Sequence, residues 1–343
     1  MKILSIARAL PSRRVTNDEL VELALERASG NGSSAAQLDS LETTIRELLA
    51  RTGARTRFHR APGERAFDFG VAAGRAALDR AELGPESVDL LIYAGIGRGF
   101  LEPATANVFQ DAIGAVNATC FDVLDACASW IRAVDVAHAL IAAGQYRIAM
   151  ILNCEFNFRE YYPDVMNSEL QELASIFSIG EAATATVLTG DARREFRATF
   201  RNVGRGSMYC QIPLPHAKEY LDGSFQENWL PLQFYTRPAM LHKLAIDALA
   251  EQYASDAAFS RYVPDIVFGH SVGVWTSQLV GKKLGLDPAK HYEIFPEYGN
   301  TVSASLPLAM SLAIDAGTLS RGSRVLGVVG SAGVTTSLAK FTF

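Results

Sequence analysis

Cys127 ends the strand-like run CFDVLDAC (120–127) and stands directly before a long apolar helical stretch, 128–143. A thiol at a helix start faces unpaired backbone N–H groups and the positive end of the helix dipole, and both favour thiolate over thiol. A thiolate there can attack a thioester, and the residue's own backbone N–H can hold the oxyanion that forms. The competing reading for Cys127 is a small buried hydrophobe, the common fate of a free cysteine. Cys120, Cys154 and Cys210 take that second reading, because they lie inside a strand, at a strand end, or in an irregular segment. The four cysteines form no C-x-x-C pair and no His-rich cluster, so neither a metal site nor a disulfide framework is expected. A reducing cytoplasm is the expected setting.

Two further motifs invite other chemistry. GHSVG (269–273) follows a strand-like run and fits G-x-S-x-G, the nucleophile elbow of a serine hydrolase, with Ser271 as nucleophile. That reaction needs an acid and then a histidine downstream, and only His291, just after Asp287, follows. The hydrolase reading is the weaker one. GIGRG (95–99) follows another apolar run, but it lacks the third glycine spacing of a dinucleotide loop and no helical pattern starts at once. No bound redox cofactor is expected.

The elements that must position these groups repeat. In the first half a helical pattern (66–83) precedes the strand-like run 88–95, then CFDVLDAC, the helix 128–143 ending at Gly144, and the strands 147–153 and 181–190. In the second half a helix (236–254), a strand (263–270), a helix (303–317) ending at Gly317 and a strand (323–330) repeat that plan. The strand-opening aspartates Asp89 and Asp265 are separated by 265 − 89 = 176 residues, and the terminating glycines by 317 − 144 = 173. Applying 173 to Cys127 gives Asn300, which places both at equivalent strand-to-helix corners near one pseudo-axis. The expected architecture is α/β with duplicated βαβ-type halves, 1–190 and 191–343. Residues 203–235, with Tyr209, Pro213, Pro215, Trp229 and Phe234, break the plan and are expected to form an inserted cap.

Composition bounds the rest. The 343 residues are 49% hydrophobic and 20% charged, enough for one large core or two fused halves. A net charge of −5 argues against a nucleic-acid partner. No run reaches the ~18 apolar residues of a membrane span. The opening MKILSIARAL is broken by Arg8 and lacks a small-residue cleavage site, so it is expected to be a first strand and not a signal peptide.

DVLDACASW around Cys127 resembles the nucleophile region of β-ketoacyl-acyl-carrier-protein synthase III and its relatives. RTGARTRF (51–58), YGNTVSASLPLAM (298–310) and VGSAGVTTSLAKF (329–341) are similar to three further segments of that family. The resemblance spans nearly the whole chain and implies a thiolase fold, a five-layered α-β-α-β-α arrangement, in a homodimer. It implies an acyltransferase that performs Claisen-type condensation of acyl thioesters through an acyl-Cys127 intermediate, with His270 and Asn300 as partners. Two neutral donors, an imidazole N–H and an amide N–H, would hold the enolate charge. Acyl-coenzyme A or an acyl carrier protein supplies the substrates, and no cofactor is implied. Acyl transfer to an alcohol or amine on the same fold is the alternative.

Other residues follow from the same likeness. Gly333, in the closing loop, is either an oxyanion-hole position or a turn glycine. GRGFLEPATAN (97–107) resembles the olefin-biosynthesis branch, which condenses two fatty acyl-CoAs, and implies Glu102 as a base delivered across a dimer interface. Its other reading is a surface residue opening a turn at Pro103. Arg55, Arg57 and Arg98 are candidates for coenzyme A phosphates, or are simply solvated. The chain departs from the synthase III pattern at His270-Ser271-Val272-Gly273, at Ala128-Ser129-Trp130 and at SIGEAATA (178–185). Those departures favour a specialised acyl substrate, in fatty-acid, polyketide or secondary metabolism.

Overall fold

The apolar runs become two mixed sheets whose strands follow the same order. The computed structural model describes residues 1–159, 170–220 and 230–343, so Trp229 lies outside the described residues. The chain begins β1 (Lys2–Ala9), β2 (Arg13–Thr16), α1 (Asn17–Gly30), α2 (Ala35–Thr52), β3 (Thr56–His59) and α3 (Ala66–Ala81). It continues β4 (Leu90–Ala94), α4 (Thr105–Ile113), β5 (Thr119–Val123), α5 (Ser129–Ala142), β6 (Ile148–Glu155), α6 (Leu170–Leu173) and β7 (Ala182–Thr189). Next come β8 (Phe196–Asn202), β9 (Cys210–Gln211), β10 (Tyr235–Thr236), α7 (Pro238–Ser255), α8 (Ala257–Ser260) and β11 (Ile266–Gly269). The chain closes with α9 (Val274–Leu284), α10 (Phe295–Tyr298), α11 (Ser305–Asp315), β12 (Arg324–Ser331) and β13 (Thr335–Thr342).

The first sheet runs β1-β7-β6-β4-β5 and the second, read from its far edge, β8-β13-β12-β11. The pairing directions also match. β4 is parallel to β6 as β11 is to β12, and β6–β7 is antiparallel as β12–β13 is. Where β5 extends the first sheet, the second has only an isolated bridge between Val267 and His291. β4 (LLIYA) is buried at every residue, as a strand covered on both faces must be.

Three helical layers cover the sheets. α3 and α4 pack Ala73, Ala77, Phe109 and Ile113 on the outer face of the first sheet. α5 and α11 lie between the sheets, with Trp130, Ile131, Leu306 and Met310 in one core with Ile92, Ile151, Phe268 and Val329. α7 and α9 cover the outer face of the second sheet through Leu249, Tyr253 and Leu284. The result is the α-β-α-β-α stack of a thiolase fold.

The two buried corners are backbone replicas. Ala126 and Val302 are both non-glycine residues with positive φ, 43° and 50°. The Ser129 hydroxyl donates to the Ala126 carbonyl at 2.7 Å, and the Ser305 hydroxyl donates to the Val302 carbonyl at 2.8 Å. The spacing of these pairs is 302 − 126 = 176, which makes the counterpart of Cys127 Ser303 and not Asn300. The glycine spacing of 173 misled because α5 has 14 residues and α11 only 11, so the second helix ends three residues early.

The described parts of the segment 203–235, residues 203–220 and 230–235, add no strand to either large sheet. β9 and β10 pair antiparallel and close its base against α7. On the same side lie α1 and α2, started by capping boxes at Thr16/Glu19 and Ser34/Gln37.

Candidate active site

One cavity of about 1330 Å3 brings Cys127, His270 and Asn300 together. Its volume exceeds the range of about 300–1,000 Å3 usual for small-molecule pockets. α2 contributes Leu48 and Arg51 to the wall, α7 contributes Met240 and His242, α9 contributes Trp275, and the cap contributes Leu214 and Phe234.

Cys127 occupies a short 3-10 turn, Ala126–Ala128, that leads into α5. The left-handed backbone of Ala126 bends the chain sharply there, a conformation that residues with a Cβ seldom adopt. Burial pushes the Cys127 thiol well above its ordinary value, and neighbouring Cys210 and Glu155 add to the rise. The Ser331 hydroxyl and the residue's own backbone N–H pull the other way and lose. The helix start therefore does not leave a resting thiolate, contrary to the expectation from position alone. Desolvation of the charged form is the larger effect.

His270 lies on the wall of the same cavity. Burial, with a smaller push from His242, lowers its pKa to about 4, so the ring is neutral at neutral pH. Its Nδ1 lies 3.2 Å from the Ser305 hydroxyl oxygen. That hydroxyl has one proton, which it gives to the Val302 carbonyl, and Thr301 donates to the same oxygen at 3.2 Å. Nδ1 must therefore be the donor to Ser305, which leaves Nε2 with a lone pair. The imidazole N–H anticipated for enolate stabilisation is absent at rest. It forms when Nε2 accepts a proton.

Asn300 is clamped through its backbone. Its N–H donates to Ser178 at 2.8 Å, and its carbonyl accepts from Gly180 at 3.0 Å. Its Oδ1 accepts the Val302 N–H at 2.8 Å, so only the amide N–H groups remain for a ligand. Two glycines permit this approach. A Cβ on Gly180 would stand 1.8 Å from the Tyr298 carbonyl oxygen, and one on Gly299 would stand 2.5 Å from that of Ser178.

The other sequence candidates separate. Gly333 has φ 117° at the β12–β13 turn, which satisfies the turn reading, while the loop faces the cavity through Gly330, Ser331 and Ala332. Glu102 is exposed, follows Leu101 on the cavity rim, and is not on the wall of the cavity in its own chain. Arg57 is fully buried and donates to Asn17, so it cannot reach a coenzyme phosphate. Arg55 pairs with Glu297 at 2.6 Å, away from the cavity. Arg98 is on the wall, but mostly buried beside Asp122. Arg51, exposed at the C-terminal end of α2, is the basic residue on the rim that the motif reading missed.

The competing motifs are filled differently. The Ser271 hydroxyl donates to the Gly273 carbonyl at 2.9 Å, and Asp287 caps a turn through Ala289. His291 packs against Gly281, which leaves the elbow without a triad. In the GIGRG loop, the Ile96 and Gly97 N–H groups bind the buried Glu155 carboxylate at 3.2 and 3.0 Å. A carboxylate stands where a dinucleotide phosphate would need those donors. Cys210, read as structural, lines the cavity with Cys127. Among the described residues no cluster of metal-ligating side chains occurs, and no helix is long and apolar enough to cross a membrane.

Residues 121–204 match the family model 3-oxoacyl-[acyl-carrier-protein] synthase III, and residues 261–342 match the model of its C-terminal part. Beta-ketoacyl-[acyl-carrier-protein] synthase III of Symbiobacterium thermophilum is 29% identical over 338 residues, 97% of this chain and 94% of that protein. Among solved structures, OleA of Xanthomonas campestris aligns with a TM-score of 0.82 at 22% identity, over 99% of this chain and 98% of its own. A cysteine-to-serine form of that protein holds lauric acid and lauroyl-CoA. FabH of Xanthomonas oryzae pv. oryzae gives the same TM-score, 0.82, at 21% identity, covering 99% of this chain and 98% of that one. These likenesses establish the thiolase fold.

Proposed function

Because this chain is a divergent condensing enzyme of the synthase III type, a transferase, we propose that it joins two acyl thioesters through an acyl-Cys127 intermediate. The convergence of Cys127, His270 and Asn300 on one cavity carries this reading.

In the first half-reaction the Cys127 sulfur bonds to the thioester carbonyl carbon while its proton moves to His270 Nε2. The tetrahedral intermediate collapses, its bond to the leaving thiol breaks, and that thiolate takes up a proton from solvent, so Nε2 keeps the one it received from Cys127. In the second, the α-carbon of another thioester, as its enolate, attacks the acyl-Cys127 carbonyl. A carbon–carbon bond forms, the carbon–sulfur bond breaks, the released Cys127 thiolate takes back the proton held at Nε2, and a β-keto thioester leaves. The Asn300 amide N–H and a protonated Nε2 face the enolate oxygen. Loss of one such donor typically costs about 2.7–4 kcal/mol in barrier.

The enolate arises either by loss of carbon dioxide from a malonyl unit or by removal of an α-proton. For the second route the base is Glu102, presented from the loop beside the cavity rim to the site of a partner copy. Exposed apolar side chains at Leu101, Val116 and Leu124 suit a homodimer with that arrangement. Arg51 on the rim suits the phosphates of coenzyme A or of a carrier-protein arm.

Intact-mass measurement after incubation with a panel of acyl-CoAs tests the intermediate. An acyl adduct is expected on the wild type and absent from Cys127→Ala; an adduct that survives the substitution rules the intermediate out. Product analysis separates condensation, a β-keto product, from transfer to an alcohol or amine. Glu102→Ala is expected to stop turnover with simple acyl donors while sparing malonyl donors.

A further inference from the structure

The loop that carries Glu102 is gripped at its base and bare at its tip. Residues 99–103 are exposed and make no hydrogen bond to any described residue. Phe100 and Leu101 are 40% and 67% exposed. The direction of the tip is therefore set by residues 95–97. There the Ile96 N–H donates to Glu155 Oε1 at 3.2 Å, and the Gly97 N–H donates to Glu155 Oε2 at 3.0 Å. The Gly97 carbonyl in turn accepts from the Tyr93 hydroxyl, whose oxygen also lies 3.0 Å from the Cys154 carbonyl. Both backbone polar groups of Gly97 are thus held by buried side chains.

The contact leaves no slack. A Cβ on Gly95 would stand 2.4 Å from Glu155 Oε1, and one on Gly97 would stand 2.3 Å from the Cys154 carbonyl oxygen. Glu155 is itself anchored, by the Ser303 hydroxyl at 2.5 Å and by Asn157 at 2.7 Å. Ser303 belongs to the turn whose Val302 N–H binds Asn300 Oδ1. One carboxyl group so joins the base of the loop to the turn that holds Asn300.

A buried carboxyl group is a costly way to fill space. What it supplies is two acceptors in fixed positions, facing two backbone groups that can only donate. Burial raises the Glu155 pKa against the pull of its donors. The grip does not depend on the charge, because each oxygen must keep a lone pair toward its N–H in either protonation state.

We propose that Glu155, with Tyr93, is a positioning residue that fixes the direction in which the loop 98–104, and with it Glu102, meets the site of a partner copy. The consequence for turnover rests on the reading of Glu102 as the α-carbon base.

Glu155→Gln tests the clamp, because it keeps the volume but must turn its own amide N–H toward one of the two backbone donors in either orientation. Turnover with simple acyl donors is expected to fall by about 10- to 100-fold. Turnover with malonyl donors and formation of the acyl-Cys127 adduct are expected to hold within about twofold. Tyr93→Phe is expected to show the same one-sided loss and serves if the first variant does not fold. Amide hydrogen exchange at Ile96 and Gly97 is expected to be slow in the wild type and to quicken in Glu155→Gln. Equal losses with both donors would make Glu155 merely structural and overturn the proposal. Full activity of both variants with simple donors, or fast exchange at Ile96 and Gly97 in the wild type, would overturn it as well. Glu102→Ala, measured alongside, keeps the two readings apart. Its selective loss beside unaffected clamp variants would sink the clamp alone. Quickened exchange and one-sided loss in the clamp variants, with Glu102→Ala fully active, would uphold the clamp and sink the Glu102 base alone.

Discussion

His270 is neutral because burial holds its pKa near 4, and Cys127 is protonated because burial holds its pKa high. On the proposed mechanism acylation then depends on a lone pair at Nε2 and not on a pre-existing thiolate. The rate of adduct formation is expected to be level from about pH 5 to 8 and to fall as the ring is protonated near 4. A rate that climbs about tenfold per pH unit across that range would instead identify free thiolate as the nucleophile. Ser305→Ala removes the group that holds the proton on Nδ1. Acylation is expected to slow by about 5- to 30-fold, equivalent to 1–2 kcal/mol, with KM unchanged. A fall in thermal stability alone, with the acylation rate intact, would make Ser305 merely structural. Cys127 was legible from its corner, and His270 and Asn300 from their motifs. Ser305 was not, because its role arises from a contact between separate segments, with His270 35 positions away. The Ser303–Glu155 bond, for example, joins residues 148 positions apart.

At the scale of elements, the placement of Asn300 depends on two chain segments meeting closely enough to form a bridge between Ile179 and Asn300. Gly180 makes that approach possible, and a methyl group there would collide with the Tyr298 carbonyl. Gly180→Ala is expected to cost about 1–3 kcal/mol of stability. It should also depress condensation more than acylation, since the proposed mechanism uses the Asn300 amide only in the enolate step. Parallel measurement of adduct formation and β-keto product separates the two; equal losses would place Asn300 in both steps. The sheet strands and both buried helices were readable from their apolar runs and closing glycines. The register between the halves was not, because a shorter second helix shifts its terminator without moving its start. α1 and α2 did carry a signal, the Thr16/Glu19 and Ser34/Gln37 capping boxes, yet their place against the cavity follows from tertiary packing alone.

At the scale of the whole molecule, three histidines are folded in their neutral form. His59 is buried with its pKa lowered to about 3, and His242 and His270 are lowered to about 4, mainly by desolvation. Unfolded, each titrates near 6.5, so between these values the unfolded chain binds more protons. Stability is therefore lost as pH falls from 6.5 toward 4, by up to about 1.4 kcal/mol per histidine per pH unit. Thermal melts at pH 7 and pH 5 should show the drop, and His59→Gln should flatten it; a melting temperature that rises toward pH 5 contradicts the assignment. β5 is an open sheet edge next to exposed Leu124, and for the proposed homodimer sedimentation is expected to give twice the 37.1 kDa chain mass. A single species at 37.1 kDa would leave Glu102 no partner site to enter.

The duplicated corner also separates aim from reactivity. The same left-handed bend that presents Cys127 to an open chamber presents Ser303 to a sealed carboxylate, Glu155. One copy of the device became a workplace and the other a rivet. What tells them apart is the space in front of each side chain, so reach into the chamber, and not the bend itself, decides where chemistry can occur.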